Sequence, residues 1–157
     1  GLQGKIPYRM DKRIREWCFG SFDGAYDGDL FMGLIPRIFN VDHVHQLSYA
    51  ELAEGLVEVD TAGWAEGWEK LSGRIKEGFE TIAKEMEEQG GGNALVVSHG
   101  MTIGTIVYLI NGMHPHGLDN GSVTILEYED GQFTVDVVGD RSYRELGREK
   151  MEETNNQ

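Results

Sequence analysis

The most constraining feature of the chain is a strand, turn and helix signature between residues 93 and 112. Ala94-Leu95-Val96-Val97 is an unbroken apolar run that follows the turn Gly90-Gly91-Gly92. A run without polar alternation is expected of a strand covered on both faces, which in practice means a strand inside a parallel sheet. Ser98-His99-Gly100 then leads into Met101–Ile110, almost wholly apolar and stopped by Asn111-Gly112. A helix of that character must itself be buried against the sheet. The unit therefore predicts an α/β fold with helices packed on a parallel sheet.

The other elements are predicted from local signals. Ser48-Tyr49-Ala50-Glu51 forms a capping box opening a helix to about Val59, followed by a turn at Asp60-Thr61. Trp64, Trp68, Leu71, Ile75, Phe79, Ile82 and Met86 recur in steps of three and four and draw one apolar stripe along a long helix ending at Gly90. On its other faces Glu66 precedes Lys70, and Glu80 precedes Lys84, by one turn; both are expected to be solvated pairs. Four glycines in that span, Gly63, Gly67, Gly73 and Gly78, cost up to about 1 kcal/mol each relative to Ala. Tertiary packing must therefore hold that helix. Val123–Tyr128 and Phe133–Val138 flank Glu129-Asp130-Gly131-Gln132, in which Asp-Gly signals a hairpin. Residues 1–29 lack a period and are expected to be loop with a short helical turn. Leu30–Phe39 reads as an apolar helix interrupted by Pro36, and residues from about 144 to 157 as a surface helix or frayed tail.

With 157 residues, 39% of them apolar, the chain has the size and composition of a single globular domain. No apolar run approaches the roughly 18 residues of a membrane span, and no charged-then-apolar leader opens the sequence. Neither a membrane partner nor a secretion signal is expected. The lone Cys18 fits a reducing cytoplasm. A formal charge of −13 argues against nucleic acid as a partner, leaving a small ligand. Lys5, Arg9, Lys12, Arg13 and Arg15 nonetheless hold five of the fourteen basic residues, and are expected to form a solvated strip.

In open α/β sheets ligands bind beyond the carboxyl ends of strands, where helix amides face outward. His99 falls at that point. Gly100 removes a Cβ so that the backbone can approach an anion, and the helix starting near Met101 supplies donors. The arrangement suits a phosphate group without naming a reaction.

Three segments carry a resemblance. Leu95-Val96-Val97-Ser98-His99-Gly100 with Thr102-Ile103, Ile14-Arg15-Glu16-Trp17-Cys18-Phe19-Gly20 with Phe22-Asp23-Gly24, and Asn120-Gly121-Ser122-Val123 with its hairpin stand in one order over residues 11–143. Together they resemble the histidine phosphatase superfamily, which includes phosphoglycerate mutases and small phosphatases. The resemblance implies a three-layer α/β sandwich with a mostly parallel central sheet. It also implies phosphoryl transfer on small phosphate monoesters through a phosphohistidine, without cofactor or metal. Phosphatase is preferred to mutase because few inserted loops separate Glu16 from His99. By the same resemblance His99 stabilises charge on the transferring phosphoryl group, Gly100 and Met101 help bind it, and Glu16 donates a proton to the departing alkoxide. From the residues alone, Glu16 reads as a surface carboxylate paired with Arg13 or Arg15. The family's nucleophile stands in an Arg-His-Gly motif, and no Arg-His pair occurs here. The chain is therefore expected to be the C-terminal portion of one such domain, truncated at the N-terminus, inactive alone, and with an unpaired edge and an open apolar seam.

Two other readings stand beside this one. His43 and His45, with His114 and His116, form two His-x-His pairs that could ligate zinc in a metal-dependent hydrolase. A noncatalytic relative binding phosphorylated metabolites or a protein would explain the missing nucleophile. A homodimer is compatible with either. Ser98 is not expected to act as a nucleophile, since it and His99 point to opposite faces of a strand. Trp17 and Phe19 would wall the site or fill core.

Overall fold

The computed structural model describes residues 7–26, 28–115 and 117–155. Five α-helices and one hairpin make up its regular structure, joined by short helical turns: α1 (Ile35–Phe39), α2 (Tyr49–Val59), α3 (Trp68–Glu88), α4 (Gly100–Asn111), β1 (Val123–Glu129), β2 (Gln132–Asp140) and α5 (Ser142–Asn155). The long helix α3 is the organising element, packing against α4, α2 and the turn Lys12–Ile14. Its stripe supplies Leu71, Ile75 and Phe79 to a core completed by Trp17, Ile35, Tyr49, Leu52, Leu56 and Ile106.

Local chemistry decides several boundaries. Ser48 and Glu51 cap α2 reciprocally, Glu51 N–H donating to Ser48 Oγ at 3.2 Å and Ser48 N–H to Glu51 Oε2 at 2.7 Å. The hairpin turns on Asp130 and Gly131, whose φ values of 51° and 78° fit the primed turn that Asp-Gly favours. Helix α4 stops at Gly112, left-handed at φ 75°, whose N–H returns to Tyr108 O. The predicted helix at residues 30–39 divides in two. Asp29–Leu34 is a π-helical turn, and α1 restarts beyond it with Pro36 in the first turn, where a missing N–H costs nothing.

Two expectations are corrected. The apolar stripe begins at Trp68, not Trp64, which is 68% exposed and precedes the helix. The cause is Asp60, whose carboxylate accepts from the amides of Ala62, Trp64 and Ala65 and so holds a loop where a helix would have started. Asp60 also accepts from Ser21 N–H at 2.7 Å, tying residues 20–23 to 60–65. These amides, that of Ala65 foremost, hold its carboxyl well below the usual range. Gly20 answers to the same contact: with φ 62° it lies so close to Asp60 that a Cβ there would collide with the carboxylate.

The second correction concerns the sheet. Among the described residues the only ladder is the antiparallel β1–β2 pair, and no parallel sheet or three-layer sandwich is formed. Residues 94–97 join no ladder among the described residues. Val96 packs on the core, whereas Leu95 and Val97 are 81% and 83% exposed. A strand is a property of a pair, and among the described residues no strand lies beside this segment to exchange N–H and C=O bonds with it. No described helix is long and apolar enough to cross a membrane.

Candidate active site

His99 is the residue immediately before α4. Its φ and ψ of −125° and 163° are extended, and its carbonyl accepts the first helical bond from Ile103 N–H at 2.9 Å. Its side chain is exposed and makes no capping bond. The start of α4 thus leaves amides to be satisfied from elsewhere.

They are satisfied by Glu16, 85 and 86 positions earlier in the chain. Its Oε2 accepts from Met101 N–H at 3.3 Å; its Oε1 accepts from Thr102 N–H at 3.0 Å and lies 3.1 Å from Thr102 Oγ1. Trp17 N–H also donates to Oε1 at 3.0 Å. A carboxylate at a helix N-terminus gains from both the orphan amides and the positive end of the dipole. Glu16 is therefore no surface carboxylate paired with Arg13 or Arg15. Arg13 binds Asp11 and Glu77, at 2.6 and 2.8 Å, and its hydrogen bonds push the Asp11 carboxyl down to about 2. Arg15 binds Glu66 at 2.7 Å.

Met101 and Gly100, the two positions expected to hold phosphate, lie beside this carboxylate. Gly100 is exposed, with nothing within 4 Å of where a Cβ would stand. The Met101 amide donates to Glu16, so an anion would share it with, or take it from, that side chain.

Behind Glu16 the wall is aromatic. Trp17 is buried in the core and donates from Nε1 to Thr105 Oγ1 at 3.0 Å. Tyr49 meets Trp17 edge-on and stacks with His114, ring centres 5.2 Å apart. Its hydroxyl donates to Pro115 O at 3.1 Å. Burial, aided by the nearby Glu16 charge, raises the Tyr49 hydroxyl to about 12. Phe19 packs on the same core.

The remaining sequence candidates disperse. Ser98 Oγ donates to Ile14 O at 2.7 Å and is engaged structurally. His43 precedes a short helical turn at Val44–Gln46 that contains His45, and His116 lies outside the described residues, as does Lys5. Among the described residues no three His, Cys, Asp or Glu side chains gather into a metal-binding group. Of the basic strip, Arg9, Lys12 and Arg15 are exposed and Arg13 is half-buried, and Arg9, Arg13 and Arg15 each bind a carboxylate. Two open surface hollows of about 340 and 360 Å³ share Met32, Gly33 and Arg37 and include neither His99 nor Glu16.

Two residues escaped the sequence reading. Thr102 binds Glu16 through its amide and donates its hydroxyl to Arg15 O at 2.7 Å. Glu66, expected on a solvated face, is 4% exposed and bonded to Arg74 and Arg15. Its spacing from Lys70 suggested a surface pair, yet that contact is the longest it makes, 3.8 Å.

A helix-packed domain with a histidine and a distant glutamate meeting at one helix start defines a recognisable class. The family model of the histidine phosphatase superfamily (branch 1) matches residues 1–141, and the chain belongs to that superfamily. Among solved structures, a phosphoglycerate mutase from Bacillus anthracis str. Sterne is similar at 34% identity with a TM-score of 0.85. The match covers 93% of this chain and 66% of that one, so the chain spans just under two thirds of its relative's length. Comparison with curated proteins finds no match.

Proposed function

We propose that these residues form the acid half of a phosphoryl-transfer site acting on small phosphate monoesters, as a phosphatase in preference to a mutase. The observation that carries the reading is the convergence of Glu16 and His99 on the first turn of α4. Phosphoryl transfer asks a protein mainly for positioning and for charge stabilisation of the equatorial oxygens. The exposed His99 imidazole and the Gly100 amide supply donors for that purpose.

Glu16 supplies the proton. Its Oε1 already accepts two amide hydrogen bonds, whereas Oε2 accepts one long bond from Met101. Oε2 is therefore the oxygen with room to carry a proton toward a departing alkoxide. In this reading the phosphate-accepting histidine lies outside these residues, since none of the five histidines follows an arginine. The family and the 34% identical mutase support phosphoryl transfer in general, and the preference for a phosphatase rests on the short stretch between Glu16 and His99.

The test is turnover of a panel of phosphate esters by the full-length protein, with His99→Ala beside it. A loss of about 10²-fold or more is expected, the scale of removing one transition-state donor. Unchanged turnover removes His99 from the chemistry. Phosphate released to water marks a phosphatase, and phosphate retained on a second hydroxyl of the substrate marks a mutase.

A further inference from the structure

Arg74, in the second turn of α3, has a side chain only 10% exposed, and its guanidinium donates four hydrogen bonds. Nε donates to Glu66 Oε2 at 2.9 Å, and NH2 reaches the same oxygen at 2.8 Å. NH1 donates to Arg13 O at 2.8 Å and Arg15 O at 3.0 Å. NH2 also donates to Glu16 O at 3.0 Å. The guanidinium is thus shared between one buried carboxylate and three carbonyls of the segment that ends in Glu16.

From the other side Thr102 of α4 donates to Arg15 O at 2.7 Å. The backbone of Glu16 is consequently held between α3 and α4, with its carboxylate on the amides of Met101 and Thr102 at the head of α4. Glu66, 2% exposed at its side chain, orients the guanidinium and is itself held by Arg15 at 2.7 Å. We infer that Arg74 is a positioning residue for Glu16, clamping the carbonyls of Arg13, Arg15 and Glu16 so that the carboxyl meets the leaving group. This rests on the reading of Glu16 as proton donor. A lysine could not replace the arginine, since three donors radiating from one nitrogen cannot span three carbonyls and a carboxylate.

A positioning role is distinguished from simple loop stapling by the leaving group. An alkyl phosphate releases an alkoxide that needs a proton, whereas p-nitrophenyl phosphate releases a stable phenolate that departs without one. Turnover of both esters is measured for the full-length protein, Glu16→Gln and Arg74→Lys. Expected for Arg74→Lys is a fall of about 10²-fold with the alkyl ester, the scale of a misplaced catalytic group, with a much smaller fall for the aryl ester and little change in either KM. Glu16→Gln should show the same asymmetry. If Glu16→Gln is asymmetric and folded Arg74→Lys lowers both esters alike, or neither, the positioning role is overturned while the proton donor stands. If Glu16→Gln lowers both alike, the proton-donor reading falls and takes the positioning role with it. Should Arg74→Lys fail to fold, Glu66→Gln takes its place: it keeps Arg74 and a neutral acceptor, and the same asymmetry is expected of it, its absence counting against the clamp.

Discussion

Gly104 lies in the buried face of α4, where a Cβ would overlap Tyr49 Oη and come within 3.0 Å of Tyr49 Cζ. Gly104→Ala therefore sets two effects against each other. Alanine favours a helix interior over glycine by about 1 kcal/mol. Against this, an added methyl in a packed core costs about 1–3 kcal/mol. Tyr49 can retreat only by breaking its bond to Pro115 O and its stack on His114, at roughly 1 kcal/mol for the hydrogen bond. Crowding wins, and a net destabilisation of about 1–3 kcal/mol is expected. Gly73→Ala is the matched control, since that glycine is exposed, helical and has nothing within 4 Å of its Cβ position. It should stabilise by up to about 1 kcal/mol. Urea denaturation followed by circular dichroism reads both. If Gly104→Ala raises stability as Gly73→Ala does, α4 does not pack on Tyr49, and the aromatic wall behind Glu16 is misdrawn.

Asp60→Asn is expected to flatten the acid limb of the stability profile. The carboxyl of Asp60 is depressed in the folded protein, so its stabilisation is complete above the ordinary value of 3.8 and is lost as pH falls below it. Urea midpoints from pH 5 to pH 2 should fall less steeply in the variant than in wild type, and parallel profiles would deny Asp60 that role. Leu95→Lys with Val97→Lys should leave the thermal midpoint of this chain within about 2 °C while reducing binding of an apolar dye, because both side chains are over 80% exposed. A large loss of stability would mean that the segment is covered after all.

The features legible in the sequence are those whose physics is local. Ser48 and Glu51 satisfy each other's amides across three residues, and Asp130-Gly131 meets the backbone demand of its turn, so neither depends on the rest of the chain. His99 was legible as a helix-start residue for the same reason. Glu16 could be placed at the site only through family resemblance, because its partners are 85 and 86 residues away and no local spacing encodes them. Glu66 was misread because the i,i+4 rule describes an isolated helix, whereas its burial is set by Arg15 and Arg74. The run at 94–97 has the composition of a strand, but pairing is supplied by neighbours and cannot be read from the run itself.

That α4 is capped by a side chain from the opposite end of the chain bears on the order in which the molecule assembles. Its interior holds Gly104 and the β-branched Thr102, Ile103, Thr105, Ile106 and Val107, a poor set for spontaneous coil-to-helix conversion. Closing an 85-residue loop to deliver Glu16 is entropically uphill, so α4 should acquire its first turn late, after α3 has gathered the early segment. Nascent structure in a refolding experiment would then appear in α3 before the residues around His99 show any protection.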